Sequence, residues 1–336
     1  MLTYLKISDK KMFFPHTRKS PLSMGMRGVG GVLIGTLLTL TAQANSTAPV
    51  PHVVVTIKPI HALASGVMDG VGTPHLLLQG GESPHSYSLR PSQVKQLHAA
   101  DLLIWVGPAV EIFLEKTITT LSDKTKRLRL LKVQGLTLLK VRKGGAWETH
   151  DHDDAHHEAF DVDPHIWLDP HNAKVIVQAI ARALSQIDAN NATHYTANAT
   201  RLMKCLDQLD QDLTHQLAPV KDLPYLVFHD AYQYFEHRYG LTVVGAISLS
   251  PEIRPGAKRL RQLRARLKNQ QVRCVFSEPQ FESALVATLI EDTSVRRGTL
   301  DPLGAELAAG TSVYVTLLRN LAKSLKQCLA LPEKVQ

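Results

Sequence analysis

No stretch of this 336-residue chain is apolar for long enough to cross a bilayer comfortably. Its main apolar run, "GVGGVLIGTLLTLTA" (28–42), falls short of the ~20 residues a spanning helix needs. Enzyme fingerprints are missing as well. There is no Ser-centred nucleophile elbow, no P-loop and no glycine-rich dinucleotide turn. Internal repeats of short period are absent. Aromatics make up 6% and charged residues 20%, against 44% apolar, which describes a soluble globular protein rather than a disordered one. Cysteine is scarce, at three positions, Cys205, Cys274 and Cys328, and none lies near the amino terminus where a lipid anchor would attach.

The formal charge of +8 would normally raise the question of nucleic acid. Much of that charge is local. Residues 1–44 hold Lys6, Lys10, Lys11, Arg18, Lys19 and Arg27 against Asp9, a net of +5, which leaves +3 for the remainder. Nucleic-acid binding loses its main support. The same segment carries the marks of a secretory signal: a basic stretch, the apolar run, then "AQA" ending at Ala44. Met24 or Met26 would serve as a start as well as Met1. The mature chain is expected to begin near Asn45, in an exported and oxidising space such as the periplasm. Two cysteines should pair there, and the sequence alone leaves all three pairings open. Cys205 sits in an amphipathic helical stretch, where a buried free thiol is expected.

Beyond the signal, apolar runs alternate with helical patterns, as in βα units with a parallel sheet. Strands are expected at 53–59, 75–79 and 102–107, with helices at "IHALASGVMDG" (60–70) and "RPSQVKQLHAA" (90–100). "LTLLKVRK" (136–143) reads as a strand leading into a loop. From Asn172, Ile176, Ile180, Leu184 and Ile187 share one face, and after a polar break Leu202, Leu206, Leu209, Leu213 and Leu217 continue it. Strand candidates then resume at 223–230, 241–248, 272–278 and 294–301, between helices at 231–239, 256–270, 282–292 and 311–330. The fold class this predicts is α/β: two (β/α)-type lobes with mainly parallel sheets, joined by a long rigid backbone helix. The expected divisions are a signal at 1–44, a first metal-binding lobe at 45–170, a helical region at 171–220 and a second lobe at 221–336.

In open α/β sheets, ligands bind beyond the carboxyl ends of the strands. Four metal-type side chains fall in such places: His85 in "ESPHSYSLRP", His165 in "DPHIWLDP", His229 closing "YLVFH", and Asp301 closing "RRGTLD". Three imidazoles and a carboxylate form the nitrogen/oxygen set that suits Zn²⁺.

The segments "GGESPHSYSLRPSQVKQLHAADLLIWVGP", "DPHIWLDP", "YLVFHDAYQYFEHRYGL", "SPEIRPGAKRL", "CVFSEPQF" and "RRGTLDPLG" together resemble the periplasmic zinc-binding proteins of ABC importers, the ZnuA type. The resemblance runs through nearly all of the mature chain. It implies two lobes joined by a rigid helix, zinc held between them, and delivery to a membrane permease with a cytoplasmic ATPase. It implies a chain that does not itself span the membrane and works as a monomer. Carried across motif by motif, it makes His85, His165 and His229 metal ligands and Asp301 the acidic member of the wider cluster. Manganese members tend to place a carboxylate at the third position, where this chain has His229, so zinc is favoured. One departure stands out: Pro84 precedes the first ligand where several zinc members carry Glu. The fourth position therefore falls to Asp301, to nearby Glu82 or to a water. The resemblance also implies a Cys274–Cys328 disulfide.

It further implies a charged, histidine-rich loop ahead of the His165 motif, here about 146–161 with "ETHDHDDAHHE" at its centre. His150, His152, His156 and His157 could hold a second zinc more weakly than the cleft, because a flexible loop loses ordering entropy on binding. Two other functions compete. A zinc hydrolase is suggested by the look of "HDHDDAHH", but Ala155 stands where the cluster's last histidine should follow Asp154. A surface adhesin of the metal-binding family is the third reading.

Overall fold

The computed structural model describes residues 49–143, 161–248, 255–269, 271–281 and 284–330. Two four-stranded sheets, parallel throughout, carry the fold. The first holds β1 (Val53–Val55), β2 (His75–Leu76), β3 (Leu102–Trp105) and β4 (Lys126–Arg129) in the order β2-β1-β3-β4. The second holds β5 (Tyr225–His229), β6 (Val243–Ser248), β7 (Cys274–Ser277) and β8 (Arg296–Thr299) in the order β6-β5-β7-β8. The central strands "VVV", "LLIW", "YLVFH" and "CVFS" are buried along their whole length, as strands covered on both faces must be. The edges β4 ("KRLR") and β8 ("RRGT") are half exposed and basic, which blunts them against pairing with other chains.

Helix α1 (Lys58–Val67) follows β1, with Pro59 in its first turn, and α2 (Pro91–His98) opens on Pro91. A short α3 (Glu115–Thr120) leads toward β4. Helix α4 (Pro170–Ile187) is capped by Asp169, whose side chain accepts from the His171 N–H at 2.8 Å. After one tight turn comes α5 (Ala192–Leu217), 26 residues or about 39 Å. The second half adds α6 (Gln233–Tyr239), α7 (Ala257–Asn269), α8 (Ala284–Ile290) and α9 (Val313–Leu329). Helix α5 packs on α4, α1 and α9, and α1 in turn packs on α9. One hydrophobic core therefore runs from Val53 and Ile104 through Leu206 and Leu213 to Phe276 and Leu321, taking in inner faces of both sheets. Smaller clusters around Leu97 and around Leu263 fill the outer faces.

The Cys274–Cys328 disulfide ties the start of β7 to the last turn of α9, with Cα atoms 6.1 Å apart. Gly298 in β8 permits that approach: a Cβ there would lie 2.5 Å from the Phe276 ring and 3.3 Å from the Cys328 Cβ. Two local expectations are corrected, and one strand is unforeseen. The tract 136–143 makes no strand, only an isolated antiparallel bridge of Lys140 with Val162, because Leu136 and Leu139 turn onto the core instead of alternating. The edge strand β4 arises where the hydrophobic pattern is weak. Cys205 is exposed rather than buried, because the inward face of α5 runs through Leu206, Leu209, Leu213 and Leu217.

Candidate metal centre

Three elements converge where the sheets' carboxyl ends meet. The irregular segment after β2 presents His85, the turn before α4 presents His165, and β5 ends on His229. One ligand-type nitrogen from each lies within 4.8 Å of the other two. The Nε2 atoms of His165 and His229 are 3.4 Å apart. A tetrahedral ion with Zn–N bonds of about 2.05 Å would set its ligand nitrogens roughly 3.3 Å apart, so this spacing would suit two ligands on one ion.

The free nitrogens face inward because the others are occupied. His165 Nδ1 donates to Asp163 Oδ1 at 2.8 Å, and the same oxygen accepts the His165 backbone N–H at 2.9 Å. His229 Nδ1 donates to Glu278 Oε1 at 2.6 Å. Each carboxylate fixes its imidazole's tautomer and makes it a better donor to a metal. Both pairs are buried. Burial pulls the His229 imidazole down, but the Glu278 charge and hydrogen bond outweigh it and hold the group above its ordinary value. His85 has no carboxylate partner among the described residues; a hydrogen bond to the Ala109 backbone is its counterpart and pulls its pKa up only weakly. Burial first, then repulsion from His165 and His229, push it down to about 3, so it stays neutral with a free lone pair at any physiological pH.

Around the nitrogens the walls are apolar: Trp167, Phe281, Pro84, Pro302 and Leu303. The cavity they leave measures about 10 Å³, room for one atom-sized occupant.

Among the described residues the metal-type cluster consists of His85, His165 and His229. Asp301 does not join it. Its Oδ1 accepts from the Leu303 and Gly304 N–H groups, each at 3.0 Å, and from Gln280 Nε2 at 3.0 Å, while Oδ2 accepts from the Ala305 N–H at 2.6 Å. The loop after β8 thus turns back on its own carboxylate and uses it up. Glu82 pairs with Arg90 at 3.2 Å. His150, His152, His156 and His157 lie outside the described residues. The flanks of that tract do pair: Val141 N–H donates to Asp161 O at 3.0 Å and Asp163 N–H to Leu139 O at 2.9 Å. Arg142 sits beside Asp230 at 3.2 Å and bonds Glu236. Burial pushes the Asp230 carboxyl up to about 8, against the pull of Arg142. Sequence reasoning missed Asp163 and Glu278. The one available signal was position, an acid two residues before a clustered histidine and another just past the end of β7.

Comparison with known proteins adds the context. The family model described as "ZnuA: Zinc-uptake complex component A periplasmic" matches residues 53–328. The high-affinity zinc uptake system protein ZnuA of Brucella suis biovar 1 (strain 1330) is 45% identical over 305 residues, covering 83% of this chain and 91% of that protein. The protein of the same name from Yersinia pestis is 38% identical over 291 residues, covering 82% and 91%. Among solved structures, a crystal structure of ZnuA superposes with a TM-score of 0.72 at 24% identity, over 84% of this chain and all of that one. A laminin-binding adhesin from Streptococcus agalactiae reaches 0.70 at 24% identity, over 83% of this chain and all of that one. At such identity the solved structures speak for the fold alone.

Proposed function

The chain belongs to the family of periplasmic zinc-uptake component A proteins, and on that premise we propose that His85, His165 and His229 are the ligands that hold Zn²⁺ for delivery to an ABC permease. Members of this family are the substrate-binding components of a transporter and not enzymes, so the hydrolase reading falls. The observation that carries the ligand assignment is the convergence of three inward-facing imidazoles within 4.8 Å.

The charge balance supports it. Three neutral imidazoles bring no charge, while Asp163 and Glu278, one bond further out, bring two negative charges to meet the two of the ion. Three nitrogens and no sulfur suit zinc better than manganese, which takes oxygen. With Asp301 and Glu82 engaged elsewhere, a water completes the tetrahedron. Such a set binds tightly yet reversibly, because removing the ligand from one side leaves an incomplete shell. The chain works as a monomer with a first lobe at 45–170, a helical region at 171–220 and a second lobe at 221–336, after a signal at 1–44 is cleaved in the periplasm. No helix among the described residues is long and apolar enough to cross a membrane. A permease in the inner membrane, driven by its cytoplasmic ATPase, is the partner. The tract containing His150, His152, His156 and His157 captures zinc weakly and passes it inward. X-ray absorption at the zinc edge tests the ligand set. Three imidazole nitrogens and one light oxygen are expected; a bound carboxylate in place of one imidazole would overturn the assignment.

A further inference from the structure

Lys58 opens α1 directly after β1, yet its ammonium group reaches into the other half of the molecule. Nζ donates to the main-chain carbonyls of Gly304 at 2.9 Å, Ala305 at 2.8 Å and Leu307 at 2.9 Å. An ammonium has three protons, and all three are used. The residue is 4% exposed. Asp301 builds the seat, since it gathers the N–H groups of Leu303, Gly304 and Ala305 on one side of the loop. The carbonyls of Gly304 and Ala305 face the lysine, the former also accepting from the Leu307 N–H at 3.1 Å. The loop is thus sandwiched between a carboxylate and an ammonium. Gly80, with φ of +143°, closes the third side: a Cβ there would lie 2.7 Å from Ala305 O and 2.8 Å from Lys58 Nζ. Only a residue without a side chain lets these segments meet so closely.

The junction adjoins the metal cavity. Gly80 belongs to the same loop as His85, and Leu303 lines both the cavity and the seam beside Lys58. The wall of the cavity is thus continuous with the seam that Lys58 closes.

We propose that Lys58 is a clasp between the two halves that sets how long the cleft retains its ion. The inference rests on the zinc reading and deepens it by naming the residue that governs release. The clasp is all-or-none. Closed, every proton and carbonyl is satisfied; opened partway, a buried ammonium lacks acceptors, which is costly. Only full opening, with both sides returned to water, is a good alternative. Burial lowers the Lys58 pKa, with Asp301 and Glu82 pulling the other way.

The test is zinc dissociation into excess chelator by stopped flow, on the full exported chain, for wild type, Lys58→Met and Gly80→Ala. Lys58→Met keeps the aliphatic stem and removes the three bonds; Gly80→Ala pries the seam from the opposite side. Each should release zinc about tenfold faster or more, the effect expected for lost hydrogen bonds to a charged group. The spectrum of bound Co²⁺ should be unchanged, and amide exchange at 303–307 should quicken in Lys58→Met. A purely structural role would lower Tm and leave release from folded protein as it was. If wild type binds zinc and a folded variant releases it within about twofold of the wild-type rate, the clasp is wrong. If wild type binds no zinc, the functional reading falls and the clasp with it. Should Lys58→Met fail to fold, Gly80→Ala decides alone.

Discussion

Glu278 offers the sharpest lever on the site, because it touches no ion and yet is placed to control one. Its Oε1 accepts from His229 Nδ1 at 2.6 Å, with both side chains buried. Replacing it by Gln keeps the shape and an acceptor oxygen, and removes one of the two negative charges that face the ion's two positive ones. Substitutions of this kind cost roughly 10–100-fold in metal affinity, about 1.4–2.7 kcal/mol. The direction with pH is also fixed. Glu278 holds His229 above its ordinary value, and that proton must leave before zinc can bind. Without the charge, the imidazole gives up its proton more easily, so proton competition weakens in the variant. The gap between wild type and Glu278→Gln should be widest near neutral pH and should narrow on acidification. Competitive titration against a chromogenic chelator at about pH 7.5 and about pH 5.5 reads both effects. An affinity within twofold of wild type, or a gap that widens toward acid, would refute the reasoning.

Three further outcomes follow from the same geometry. His85 titrates at about 3 in the folded protein against 6.5 as its ordinary value, so below pH 6.5 the unfolded chain takes up a proton that the native one refuses. Its contribution to apo stability is therefore lost as pH falls from 6.5 toward 3. His229, raised, acts in the opposite sense, so the informative readout is the difference between wild type and His85→Asn in thermal melts from pH 7 to 5, and the variant should lose less stability on acidification. Breaking the Cys274–Cys328 bond, with its sequence separation of 54, should cost about 4 kcal/mol in denaturant unfolding if chain entropy dominates. Zinc affinity should be retained, because the bond lies at the end of β7 opposite Glu278. Cys205, exposed on α5, should react at once with a thiol reagent in the native protein.

The central strands were legible because a strand covered on both faces must be apolar throughout, and "VVV", "LLIW", "YLVFH" and "CVFS" are. An edge strand obeys no such demand. "KRLR" forms β4 through backbone pairing with β3 and through Arg129 lying 5.8 Å over the Trp105 ring, neither of which leaves a pattern in the sequence. Cys205 was misplaced by one position: it precedes Leu206, and a step of one residue turns about 100° around a helix. In the site, His229 could be read because it closes β5, where a sheet gathers its ligands, while His85 after β2 and His165 before α4 were read from the motifs around them. Asp301 sits at such an end too. Whether it faces an ion or its own loop is settled by the turn at 303–305, which sequence does not reveal. Asp163 and Glu278 act through other side chains, and an acid of that kind looks like any solvated one until its neighbour's orientation is known.

The central claim is that three histidines hold one zinc ion. The most direct test is to titrate the protein and its His85→Ala, His165→Ala and His229→Ala variants with Zn²⁺ and Mn²⁺ against a chromogenic chelator, counting sites and affinities. The account predicts one tight zinc site in the wild type, poor manganese binding, and loss of the tight site in each variant. A weaker second zinc would be compatible with the histidine-rich tract. Tight binding that survives any of the three substitutions, or a preference for manganese, would contradict it.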